Sequence, residues 1–195
     1  MRSAKMSSGS KRINLHFIPN THIDREWAMD FQHNRGLTVD FIDNLIEIMK
    51  QIPEYCFLLD SQVIPLEDYL EIRPENKNIL IRFIKENRLN IGPWYTAMDM
   101  NCVNGESIVR NLLFGHKIME KYGPIMKVGY TPFGWGQVSQ LPQIYQGFGI
   151  ETCLFYRGIT PDQAPVPKFF WEGADGTTLF CSLYYNWSPG IFMGE

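Results

Sequence analysis

His22, Asp24 and Trp27 fall in one short run, His22-Ile23-Asp24-Arg25-Glu26-Trp27. An imidazole and a carboxylate one residue apart project to the same side of an extended chain. Two such groups can hold a single divalent cation between them. The indole beside them offers the kind of apolar face on which a sugar ring stacks. Hydrolysis assisted by a metal ion is the chemistry these side chains suggest. His-x-Asp alone is far more often a capping or surface pair, so its place in the chain matters. It comes after an apolar run, Leu15-His16-Phe17-Ile18-Pro19, that reads as a buried strand. A catalytic zinc takes three protein ligands and leaves one position open, so more than this pair is needed. His16, His33 and His116 sit in contexts that read as structural. Arg25 and Glu26 read as a surface ion pair.

The elements that would position these groups are regularly ordered. Candidate strands are Ile13–Pro19, Tyr55–Leu59, Leu89–Trp94, Lys127–Tyr130, Thr152–Tyr156 and Thr178–Tyr184. Apolar residues near a period of 3.6 predict helices over Thr38–Lys50, Glu75–Asn87 and Gly105–Lys121. Such alternation argues for an α/β fold, a parallel sheet with helices packed on it. Asp175-Gly176, between two β-rich runs in Phe169–Tyr185, signals a hairpin. In parallel α/β folds function gathers beyond the C-terminal ends of the strands. Those ends carry His22, Asp24 and Trp27, then Asp60, Ser61 and Gln62, then Trp94, Tyr95 and Asp99. Thr131, Phe133 and Trp135 come next, and then Arg157. Aromatics mixed with carboxylates at successive strand ends suit a carbohydrate. Asp60 reads equally as a site carboxylate or as the N-cap of a helix entering Pro65–Ile72. Glu106 reads as part of a helix start, and Gly129 and Gly134 as turn residues.

Composition narrows the field. The chain has 195 residues, 45% of them hydrophobic and 20% charged, enough for a sizeable core. The net charge of −3 and the scattered Lys and Arg exclude a nucleic-acid footprint. No apolar stretch approaches the length of a membrane span. Residues 1–12 are basic and Ser/Gly-rich with no apolar core behind them, and are expected to be a disordered tail. Cys56, Cys102, Cys153 and Cys181 form no Cys-x-x-Cys pair and read as buried, reduced thiols of a cytoplasmic protein.

Asn20 through Trp27, Gly92-Pro93-Trp94-Tyr95, Gly105 through Leu112, and Gly129-Tyr130 through Gln140-Leu141-Pro142-Gln143-Ile144 appear in order. Together they resemble the N-terminal catalytic domain of glycoside hydrolase family 38, the α-mannosidases, and its bacterial members most of all. The resemblance runs from about Ile13 to the end of the chain. It implies that residues 13–195 are the N-terminal portion of a seven-stranded β/α barrel of the glycoside hydrolase/deacetylase type. It also implies a zinc ion (Zn2+) that binds hydroxyls of a terminal mannose. Hydrolysis would retain configuration through a glycosyl-enzyme intermediate on an Asp. Carried over, His22 and Asp24 match metal ligands, Trp27 an aromatic beneath the sugar and Phe133 a sugar-contacting aromatic. Arg157 lies near a site arginine, and Asp60 and Asp99 fall in matching segments of the substrate site.

The chain departs from the family at the nucleophile, an Asp shortly before a Phe-Gly pair. Aligned without a gap, Thr131 takes the Asp position; aligned on Gly-Tyr-x-Pro, two residues are missing. Neither alignment supplies a carboxylate, and a hydroxyl is a poor nucleophile without a base beside it. The expectation is a zinc-dependent retaining α-mannosidase acting on mannose-containing oligosaccharides. This chain would be a truncated segment of it, with weak or no activity alone and with room for a homo-oligomer in the parent. A catalytically silent mannose-binding barrel and a metal-dependent carbohydrate deacetylase remain as alternatives.

Overall fold

The computed structural model describes residues 17–131, 135–155, 159–160 and 162–183. Most of the expected strand Ile13–Pro19, with His16, lies outside them. Its described part, Phe17–Pro19, is not in a strand, and Phe17 and Ile18 are exposed, against the expected burial. Asn20 forms a parallel bridge to Leu58, and Leu58 N–H donates to Pro19 O at 3.0 Å. The chain leading to His22 therefore runs alongside β1 (Phe57–Gln62).

Helix α1 spans Phe31–Gln51 and buries Val39, Ile42, Leu45, Ile46 and Met49. It begins well before the expected Thr38. Its first turns carry exposed Gln32, His33 and Gly36, so they show no apolar period, but Asp30 caps them by accepting from His33 N–H at 3.0 Å. Helix α2 (Ile64–Ile72) comes directly after β1. The expected Glu75–Asn87 helix divides into a 3-10 turn, Pro74–Asn76, and α3 (Lys77–Lys85). It ends where Asn87 turns to the left-handed φ of 55°. Then come β2 (Leu89–Trp94), α4 (Gly105–Met119), β3 (Gly129–Thr131), α5 (Leu141–Gly147), β4 (Thr152–Phe155), β5 (Lys168–Glu172) and β6 (Thr178–Leu183).

The strands form two hydrogen-bonded groups. β1 and β2 are parallel, and the second group runs in the order β3, β4, β6, β5, with only β5 antiparallel to its neighbour. β5 and β6 make the expected hairpin, in which Gly176 takes the φ of 84° its turn requires. Trp94 Nε1–H donates to Tyr130 O at 3.2 Å and so ties the two groups together. Parallel strands with intervening helices place the chain in the α/β class.

Two apolar clusters hold these layers. One joins α1, α2 and α3 to β1 and β2 through Ile42, Leu66, Phe83 and Ile91. The other gathers Trp94, Leu112, Tyr145, Ile150 and Leu179. Trp94, only 1% exposed, is therefore a core residue rather than a strand-end site group. Gly115 lets α4 lie directly on β2, because a Cβ there would stand 2.7 Å from Pro93 O and 2.8 Å from Tyr95 N. Gly129 is needed for a similar close approach, with the Tyr145 ring over it, rather than for a turn. Cys153 and Cys181 are buried and pair in register across β4 and β6, but Cys56 and Cys102 are exposed, against expectation. Among the described residues no helix is long and apolar enough to cross a membrane.

Candidate active site

The segment after Asn20 places its two candidate ligands together. His22 Nε2 lies 3.2 Å from Asp24 Oδ1, and the two side chains are 28% and 55% exposed. Two ligands of one zinc ion, each about 2.1 Å from it, stand roughly 3.4 Å apart in tetrahedral geometry. The pair is in direct ion-pair contact here, at a separation that two ligands of one divalent ion would also show. The other ring nitrogen, Nδ1, faces Asp60 Oδ1 at 3.4 Å. A carboxylate behind a metal-binding imidazole fixes its tautomer and leaves Nε2 for the ion. Among the described residues no third His, Cys, Asp or Glu completes a metal-binding cluster with these two.

Asp60 is fully buried, and five groups surround its carboxylate. It accepts from Ile23 N–H at 2.8 Å, Ser61 N–H at 2.5 Å, Ser61 Oγ at 3.1 Å and Gln62 Nε2 at 2.8 Å, besides facing His22. A buried carboxylate is tolerable only with such satisfaction. The N-cap alternative for Asp60 is set aside, since Val63 occupies that position and no side chain caps α2. β1 runs on through polar Asp60-Ser61-Gln62, past its expected end at Leu59, because Asp60 and Gln62 bond across to the His22 loop. Burial pulls the His22 pKa down, but the hydrogen bond and charge of Asp60, with those of Asp24, outweigh it and hold the imidazole above its ordinary 6.5.

The loop is pinned elsewhere too. Arg25 does not pair with Glu26; its guanidinium grips Asp68 of α2 through Nε at 2.6 Å and Nη2 at 2.9 Å. It also lies over the Phe31 ring, 4.7 Å from its centre. Trp27 is 82% exposed and borders a cleft of about 340 Å3, shared with His22, Asp24, Met29, Leu37 and Phe41. That volume is within the range of small-ligand clefts.

The other candidates are dispersed. Asp99 Oδ1 accepts from Asn101 N–H at 3.1 Å and shapes the loop after β2. Thr131 ends β3 fully buried, its hydroxyl 3.4 Å from Gln137 Oε1. Phe133, Gly134 and Arg157 lie outside the described residues. Trp135 is 69% exposed. His33 and His116 have structural roles, in the first turn of α1 and at the end of α4, and Glu106 pairs with Arg110 along α4. Sequence reasoning missed Gln62 and Asn111 as loop-holding groups. The Asp60-Ser61-Gln62 run at a strand end was the available signal for the first.

The fold is α/β with mostly parallel strands, and the His–Asp pair lies in the segment that runs beside β1. The profile of the "Glycosyl hydrolases family 38 N-terminal domain" matches residues 12–192, and the chain belongs to that family. A protein of Halalkalibacterium halodurans, whose name assigns it provisionally to mannosylglycerate hydrolysis, is 37% identical over 185 residues, covering 88% of this chain and 21% of its own length. An α-mannosidase of Saccharomyces cerevisiae is 30% identical over 175 residues, covering 87% of this chain and 16% of its own. The crystal structure of an α-mannosidase from Enterococcus faecalis V583 superposes with a TM-score of 0.82 at 34% identity, over 87% of this chain and 20% of that one. The chain thus spans about a fifth of the length of these relatives.

Proposed function

We propose that the chain forms the N-terminal part of the catalytic β/α barrel, seven-stranded when complete, of a zinc-dependent retaining α-mannosidase. The substrate class is a terminal α-linked mannose, on an oligosaccharide or on a small acid such as glycerate. The observation that carries the reading is the His22 Nε2–Asp24 Oδ1 pair at 3.2 Å, with the buried Asp60 behind the imidazole. His22 and Asp24 would hold the ion. Bound there, a divalent cation supplies a Lewis-acid anchor for hexose hydroxyls. Asp60 orients the imidazole, and Arg25 fixes the loop on α2. Trp27 presents an apolar face to the sugar ring, with Phe133 and Arg157 assigned to the same subsite and Asp99 to its rim. The reaction's nucleophile and acid/base groups are assigned to none of the described residues.

The test is metal content together with release of nitrophenol from an aryl α-mannoside by the longer protein that contains this chain. One equivalent of zinc, with activity lost to a chelator and restored by metal, is expected. Stoichiometric absence of metal together with chelator-indifferent turnover sinks the reading. The 195-residue chain alone is expected to turn over little or no substrate. A second reading, a sugar-binding barrel without catalysis, is favoured by Thr131, a buried hydroxyl where a carboxylate nucleophile is expected. Tight binding of a mannose-like inhibitor by the longer protein, without turnover, would decide for it.

A further inference from the structure

Gln62, the last residue of β1, is 2% exposed and divides its amide between two loops. Nε2 donates to Ile23 O at 2.9 Å and to Asp60 Oδ2 at 2.8 Å. Oε1 accepts from Ala97 N–H at 2.6 Å and faces Thr96 Oγ1 at 3.4 Å. These partners fix the amide's orientation. Reversed, it would set its N–H groups against the Ala97 N–H and its oxygen against a carbonyl and a carboxylate. Ile23 is the residue between His22 and Asp24, and Ala97 lies two residues before Asp99. The far side of the same turn is held by Asn111 of α4, whose Oδ1 accepts from Tyr95 N–H at 2.8 Å and whose Nδ2 donates to Thr96 O at 2.9 Å. The loop after β2 is thereby fixed to α4 on one side and to the ligand loop on the other.

We infer that Gln62 is a positioning residue that couples the His22/Asp24 loop to the loop after β2, so that a cation held by the pair orders both. The inference rests on the proposal that this pair binds a metal ion. A bound ion immobilises the backbone at Ile23, and the Ile23 O–Gln62–Ala97 N–H bridge carries that restraint into a segment with no proposed metal ligand. Gln62→Leu removes both halves of the bridge and leaves a part-buried carbonyl and N–H without their side-chain partner. Gln62→Glu keeps an acceptor for Ala97 but sets a second carboxylate against Asp60. Groups hydrogen-bonded directly to a metal ligand typically change metal affinity 10- to 100-fold when replaced, and Gln62 acts through such a group, Asp60.

Two measurements on the longer protein test this. Co2+ titration by visible absorption compares the unaltered protein with His22→Ala, Gln62→Leu and Gln62→Glu. Amide exchange with and without Zn2+, on the unaltered protein, tracks the segments around Ile23 and Ala97 and needs no variant to fold. Loss of binding in His22→Ala, affinity 10- to 100-fold weaker in the Gln62 variants, and Zn2+-slowed exchange in both segments are expected. If His22→Ala loses the ion while the Gln62 variants bind normally and Ala97 does not respond to Zn2+, the coupling is wrong and the metal reading stands. If His22→Ala binds as the unaltered protein does, or neither binds, the metal reading and the coupling fall together.

Discussion

At the scale of single residues, the arrangement turns on Asp60. Its carboxylate is inaccessible to solvent and positions the imidazole of His22. Asp60→Asn is nearly isosteric but places an N–H group where acceptors are needed, against Ile23 N–H, Ser61 N–H or Gln62 Nε2. Zinc affinity, read by competition with a chromophoric chelator, should fall 10- to 100-fold. An unchanged affinity would remove Asp60 from the site's support. The closeness of His22 and Asp24 was legible in the sequence because their spacing alone puts them on one side of an extended chain. The role of Asp60 was not, because its partner imidazole is 38 positions away and only the β1 neighbourhood brings them together. Arg25 misled for the same reason: its carboxylate is Asp68, 43 positions on, not the adjacent Glu26.

At the scale of elements, α4 carries two devices. Its Gly115 admits the backbone of β2, so Gly115→Ala should force the two apart and cost about 1–3 kcal/mol in urea unfolding. At its C-terminus His116 Nδ1–H donates to Leu112 O at 2.8 Å, and Nε2 accepts from Lys127 Nζ at 2.8 Å. Lys127 also donates to Phe148 O at 2.7 Å, which joins α4 to the end of α5. Burial, aided by the Lys127 charge, holds the His116 pKa below its ordinary 6.5. The folded chain therefore prefers neutral His116, and the unfolded chain takes up a proton first as pH falls. Stability should decline from about pH 6.5 downward until the folded-state pKa is reached. His116→Gln should lose that part of the decline in urea midpoints compared at pH 7.5 and 5.5. An identical pH dependence in the variant would show that His116 contributes nothing to it. The existence of each long helix was legible from apolar period. The polar first turns of α1 were not, because a side-chain cap rather than burial holds them.

For the whole molecule, strand-helix alternation in the sequence announced a parallel α/β fold, and a local turn announced the β5–β6 hairpin. The order β3-β4-β6-β5 was not legible, since it depends on which distant strands pair rather than on any local pattern. That order brings Cys153 and Cys181 face to face between β4 and β6, at 3% and 0% exposure, while Cys56 and Cys102 stay exposed. Burial also raises the Cys153 pKa well above its ordinary value, which starves it of reactive thiolate. Ellman's reagent should accordingly consume two equivalents at once and the other two only as the strands part. The slow phase is a built-in clock for breathing of the sheet interior; four prompt equivalents would mean that it opens almost freely.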